Sequence, residues 1–410
     1  MGNDDGRARD SIRELATRVA ELAASDEYAS RQRLWREVNS LRRPERPPVI
    51  CHPGCWEELV PRSTLVSQDS FLSAVEYRLR QMLYKHEIGD DSVIEPGWPV
   101  PAAVHLEGEH LWGMPIEYTR TGVQGGAWAY QPPIRDEADI ERIVPPRYRY
   151  DQAQTEENLS RMHDLLGDIL PVRVTCAVPG PGAWLHGWAT QLCGVQPLLE
   201  YMMDRPQWVH RLMAILRDGH LGVLDQFEQM GVLTSNNLGL FACDDLPQPN
   251  EVSPPVRLNQ LWGRGESQEF EGVGPGQYRE FLLDYQRPIL ERFGLTYYGC
   301  CEDLTGKIDL VLSLPNLRRF VCSPWTDLEK LVAAVGDRYC IEWRQKATDV
   351  VFDRDLTRTR EHLRRGLSIA QGTPIMIVLQ ELETVNGRPE RLREWAEAAK
   401  EVGGGVPTGG

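Results

Sequence analysis

Apolar residues recur along this chain in two periods, and their alternation predicts its elements. Ile12, Leu15, Val19 and Leu22 follow a Ser11–Glu14 capping-box pattern at helical spacing. A second helix carries Leu34, Trp35, Val38 and Leu41, and Arg43-Pro44-Glu-Arg-Pro47-Pro48 stops it. The short run Val49-Ile-Cys-His52, closed by Pro53-Gly54, predicts a first strand. Phe71, Val75, Leu79, Met82 and Leu83 share a helical face within 65–95, whereas 96–150 shows weak periodicity and predicts a strand or two with a long excursion. From there the rhythm is regular. Strand-like runs at 172–176, 233–242, 295–298, 317–322, 338–343 and 375–379 are separated by helical patterns at 198–230 (broken at Pro206), 278–293 and 355–370, and a last helix covers 388–401.

Strands alternating with helices predict a parallel sheet with crossover helices. Polar residues stand directly after each apolar strand, as on the active-site face of a (β/α)8 TIM-type barrel. An open doubly wound sheet has the same alternation, but no glycine-rich nucleotide turn follows the first strand, and the glycine runs 122–126 and 272–276 match no nucleotide pattern. The expected organisation is an N-terminal helical segment over 1–45, a barrel over 46–402 with an insertion near 96–150, and a flexible tail over 403–410.

Composition narrows the class. With 41% hydrophobic residues the 410-residue chain can bury a sizeable core, and a net charge of -15 argues against nucleic acid as a partner. No run approaches the roughly 18 apolar residues of a membrane helix. The charged N-terminus has no apolar signal region, so a cytoplasmic protein with reduced thiols is expected. Its nine cysteines form no CxxC pair.

Several stretches resemble the uroporphyrinogen decarboxylase superfamily, most specifically over 260–345: Trp262-Gly-Arg-Gly-Glu-Ser-Gln-Glu269, Gly274-Pro275, Tyr298-Gly-Cys-Cys-Glu302, Arg318-Arg-Phe-Val-Cys-Ser-Pro-Trp325 and Val335-Gly-Asp-Arg-Tyr-Cys-Ile-Glu342. Trp35, the Pro47-Pro48 entry and Gly180-Pro181 are similar as well. The heme-pathway enzyme grips its substrate with arginines near the N-terminus, whereas Val49–Trp56 holds none, which argues against porphyrinogen decarboxylation. The methyltransferase branch carries a His-x-Cys metal motif where Gly299-Cys-Cys301 stands, so glycine replaces the histidine. The resemblance implies a methyltransferase or demethylase of small molecules, with zinc as metal and a corrinoid, or a corrinoid protein, as methyl carrier. Barrels of this type often pair, so a homodimer is among the expected assemblies.

The candidate residues follow from strand ends. Cys301 and Glu302 serve as zinc ligands if the strand breaks into a loop there; the competing reading is two buried cysteines and a solvated acid. Glu381 and Glu383 lie two apart after the last strand and share a face in extended chain, suited to metal binding or acid–base work, or else to a helix N-terminus. By the resemblance, one of them completes the metal site. His52 is a further ligand or base, or a structural histidine. The expected catalytic set is Glu302, Asp244 and Glu381, and the metal set is Cys301, Glu302, Glu383 and His52. Trp184, Trp262, Trp325 and Trp343 with Gln268 and Glu269 are expected to bind substrate. Two other functions share these residues: a metal-free decarboxylase in which Asp244 or Glu302 steers protons, and a corrinoid-binding protein without turnover.

Overall fold

The strand Cys340–Gln345 shows how the chain divides inside from outside. Side chains alternate across a strand. Ile341 and Trp343 pack against helices in the main core, whereas Cys340 joins Ile50, Met376 and Val378 on the opposite face. That second face also carries Glu342 and Arg344, both nearly buried. The sheet is therefore covered on one side by helices and encloses polar groups on the other.

The structure, a computed structural model, describes residues 2–122, 128–179, 182–252 and 254–405. Eight strands lie in parallel ladders: β1 Val49–Pro53, β2 Trp98–Pro101, β3 Val172–Thr175, β4 Trp262–Gly265, β5 Leu295–Tyr298, β6 Leu317–Cys322, β7 Cys340–Gln345 and β8 Ile375–Leu382. Six form one curled sheet in the order β1-β8-β7-β6-β5-β4, and β2 pairs with β3 separately. A parallel bridge from Ala183 to Gly265 brings the segment after β3 beside β4. The order of neighbours in the six-stranded sheet is that of part of a barrel wall.

The N-terminal end of the strands is plugged by helix Asp26–Asn39, whose Trp35 and Val38 cluster with Ile50, Cys340, Met376 and Val378. Ser25 caps this helix, and Asn39 ends it by donating to Leu240 O and Ala242 O at 3.0 Å each. The first helix, Gly2–Ala23, packs Ala8, Ile12, Ala16 and Val19 on Leu72, Val75, Leu79 and Leu83 of helix Ser70–Ile88.

Most predicted elements are present, with two instructive differences. The apolar run 233–242 is not a strand; it is irregular up to a 3-10 turn at Gly239–Phe241. Asn237 explains this, because its side chain ties Cys243 N and the carbonyls of Cys243 and Leu246, folding the segment on itself instead of into a ladder. The excursion 96–150 contains β2, then two small antiparallel pairs, 104–106 with 148–150 and 117–120 with 128–131. The last helix, Glu390–Gly404, takes in Gly403 and Gly404 of the expected tail. The remainder of that tail beyond 405, most of the 122–126 glycine run and Gly180-Pro181 lie outside the described residues. No helix among the described residues is long and apolar enough to cross a membrane.

Helix Thr357–Ile369 approaches β7 closely because position 366 lacks a side chain: a Cβ on Gly366 would lie 2.1 Å from the Trp343 ring. Gly366→Ala is expected to displace Trp343 and destabilise the protein by roughly 1–3 kcal/mol. A denaturant titration followed by tryptophan fluorescence measures it, and unchanged stability would contradict this packing.

Candidate functional site

Strand β5 stops at Tyr298 because Gly299 adopts φ +114°, where a Cβ would also strike Val321 at 2.9 Å. The turn cancels the alternation that would have sent neighbouring side chains to opposite faces. Both thiols of Cys300 and Cys301 consequently lie together, Sγ to Sγ 3.3 Å, at the C-terminal end of the sheet. Strand β7 supplies Arg344, whose Nη1 donates to Cys300 O at 3.0 Å and lies 3.9 Å from Cys300 Sγ. Glu266, just beyond β4, and Glu381, at the end of β8, flank the pair closely enough for Glu266 to act on the ionisation of Cys300 and Glu381 on that of Cys301. Glu381 holds a left-handed backbone at φ +63°, an uncommon conformation for glutamate.

The electrostatics separate the two thiols. The hydrogen bond with Cys301, together with the charges of Arg344 and Arg264, overcomes burial and lowers the Cys300 pKa to about 6. Cys301 is pushed far up by the same hydrogen bond, by burial and by Glu381. Burial raises Glu266 to about 8, despite Arg264, whose Nη2 is 3.1 Å from its Oε1. At neutral pH the pattern is a thiolate at Cys300 beside a neutral thiol, with the neutral Glu266 carboxylic acid nearby.

Arg344 is itself held from below. Its Nε donates to Glu342 Oε1 at 2.9 Å, and Arg319 Nη1 reaches Glu342 Oε2 at 3.2 Å. Burial opposes ionisation of Glu342, but the two guanidinium groups outweigh it and hold its pKa near 2. His52, at the end of β1, is exposed on its surface. Crowding and the charge of Lys85 lower it to about 4, so it is neutral at neutral pH.

The other expected residues take varied places. Glu302 is fully buried, and its two carboxylate oxygens accept from Ser267 N at 2.7 Å, Ser267 Oγ at 3.0 Å and Cys300 N at 2.8 Å. It braces the turn and points away from the thiols' open side. Asp244 stands at the other end of the sheet: it pairs with Arg42 at 2.6 Å, beside the Arg318–Asp245 pair at the start of β6. A catalytic role with the thiols is thereby removed from Asp244 by position. Glu383 is exposed, near Gly54. Glu269 Oε2 lies 2.8 Å from Nε2 of the buried His186, and Gln268 is exposed on the same short turn. Trp184 packs edge-on to Trp188, Trp262 lines a cavity, Trp325 is exposed with the Lys346 ammonium 5.1 Å from its ring, and Trp343 is buried under helix 357–369. All nine cysteines are free. Among the described residues no three His, Cys, Asp or Glu side chains are disposed to hold a metal ion. The residues as placed do not fit the expected Cys301–Glu302–Glu383–His52 cage, chiefly because Glu302 is engaged elsewhere.

A solved structure shares this fold. A methyltransferase from Methanosarcina mazei superposes with a TM-score of 0.51 over 90% of this chain and 98% of that chain, at 11% identity. At that identity the likeness is one of fold. No protein-family model and no curated protein sequence matches the chain.

Sequence reasoning chose Cys301 and passed over Cys300, Glu266, Glu342 and Arg344. The alternation Cys340-Ile-Glu-Trp-Arg-Gln345 held the signal, since residues 340, 342 and 344 share one face of a strand. Alkylation of Cys300 by iodoacetamide is expected to rise with pH through a midpoint near 6, as the thiolate forms. In Arg344→Gln that midpoint should move up by about one unit. A midpoint unmoved by the substitution would contradict the role given to the guanidinium.

Proposed function

We propose that the protein is a transferase of the methyltransferase type, on a closed (β/α)8 barrel of the uroporphyrinogen decarboxylase-like superfamily, acting on a small molecule at the barrel mouth. The observation that carries this reading is the Cys300–Cys301 pair, with Arg344 and Glu266 directed at Cys300. Active sites of such barrels lie at the C-terminal ends of the strands, where this pair sits. The shared fold with a methyltransferase supports the same class, while the chemistry rests on the site.

A thiolate here accepts a methyl group by displacement: the S–C bond forms as the bond from carbon to the donor breaks, and the donor leaves with the electron pair. Cys301 and Glu266 hold the thiolate before attack, and Arg344 balances its charge. A corrinoid methyl carrier belongs to this proposal as the donor implied by the sequence resemblance. Because the donors present do not form the expected zinc cage, no step passes through a metal.

Incubation with methylcobalamin, digestion and mass spectrometry test the proposal. The expected result is one methyl on the peptide holding Cys300, absent in Cys300→Ser, with slower transfer in Cys301→Ala. Absence of methylation in the folded parent, or methylation elsewhere that Cys300→Ser leaves intact, overturns it. Metal analysis of the same samples completes the test: zinc at one per chain, lost in Cys301→Ala, would replace the guanidinium-held thiolate by a metal-held one.

A further inference from the structure

Beside the thiol site lies a cavity of about 340 Å³, walled by Phe241, Trp262, Phe293 and Tyr297 and bordered by His220 and Arg264. That volume is within the range of small-molecule sites. Its lining is mostly apolar, with Thr234 and Asn236 as further polar members. Arg264 relates it to the thiols, since it pairs with Glu266 and its charge lowers the pKa of Cys300.

Three donor-bearing atoms of the lining residues, each closed off from water, lack a hydrogen-bond partner among the described residues: Trp262 Nε1, Arg264 Nε and His220 Nε2. Trp262 and His220 are almost wholly buried, at 4% and 5% exposure. Buried polar groups are nearly always paired, so three orphans on one cavity demand an explanation. Tryptophan and arginine only donate, so what is missing is an acceptor. Arg264 keeps 28% of its side chain exposed, with Nε free and only Nη2 on Glu266. The other cation here, Arg319, spends Nη1 on Glu342 and Nη2 on Asn39 Oδ1 and Leu240 O, its Nε also lacks a partner, and its guanidinium sits 4.7 Å from the Phe241 ring and 5.5 Å from that of Trp262.

We propose that this cavity binds the substrate of the thiol site as a planar, unsaturated carboxylate, its flat body between the aromatic walls and its carboxylate on Arg264. The inference rests on the transferase reading for what happens after binding, and on the cavity alone for binding itself. A carboxylate accepts two parallel N–H bonds from one guanidinium, which a neutral amide of the same shape cannot do.

Calorimetric titration with benzoate and with benzamide tests it, on the parent, Arg264→Gln and Arg264→Lys. The parent should prefer benzoate by about tenfold or more. Arg264→Gln should remove the preference, and Arg264→Lys, which keeps the charge without the fork, should retain part of it. A parent that prefers benzoate but takes no methyl from methylcobalamin counts against the reaction and not the cavity, so the two failures are distinguishable. Equal affinity for the two probes in the parent, or a preference that survives Arg264→Gln in a folded variant, overturns the proposal.

Discussion

Glu342 sits between Arg319 and Arg344 on the concave face of the sheet, and the polar interior is organised around it. Removing such a carboxylate from water is costly, and only close opposite charge makes it tolerable. Here the two guanidinium groups come from the same strand two residues on and from the neighbouring strand, both fixed by the register of β6 with β7. The arrangement is weak evidence for stability. Its consequence is positional: Arg344 is clamped at one end, so its other nitrogen is aimed at Cys300 without freedom to wander. Below it, Arg319 reaches Asn39 at the end of the plugging helix, so the closed floor and the reactive end belong to one hydrogen-bonded column.

The thiol pair depends on backbone geometry as much as on charge. Gly299 turns the chain where a strand would have separated Cys300 from Cys301, and Glu302 secures the turn with both oxygens of its carboxylate. A residue that sequence motifs suggested as ligand or acid thus positions the thiols.

The fold was largely legible from the sequence because its strands are short apolar runs bounded by Gly, Pro and polar residues, and its helices have a sustained apolar face. The exception at 233–242 is informative. Its composition suits a strand, but the side chain of Asn237 offers the backbone a local alternative to a ladder. The site was legible only in part. Position after β5 pointed to Cys300-Cys301-Glu302, and position after β8 pointed to Glu381. What each does depends on partners distant in sequence, such as Arg344 on Cys300 and Ser267 on Glu302, which spacing does not disclose. Asp244 shows the converse error, since a polar residue following an apolar run was taken for a strand end at the wrong end of the sheet.

The claim on which this account turns is that Cys300 is ionised at neutral pH inside a protein whose other thiols are not. Ultraviolet thiolate absorbance, titrated against pH in the parent and in Cys300→Ser, measures this directly. The account predicts a single-thiolate step near pH 6 in the parent and its absence in the variant. A parent that shows no thiolate until the ordinary cysteine range of about 8.5 would contradict it.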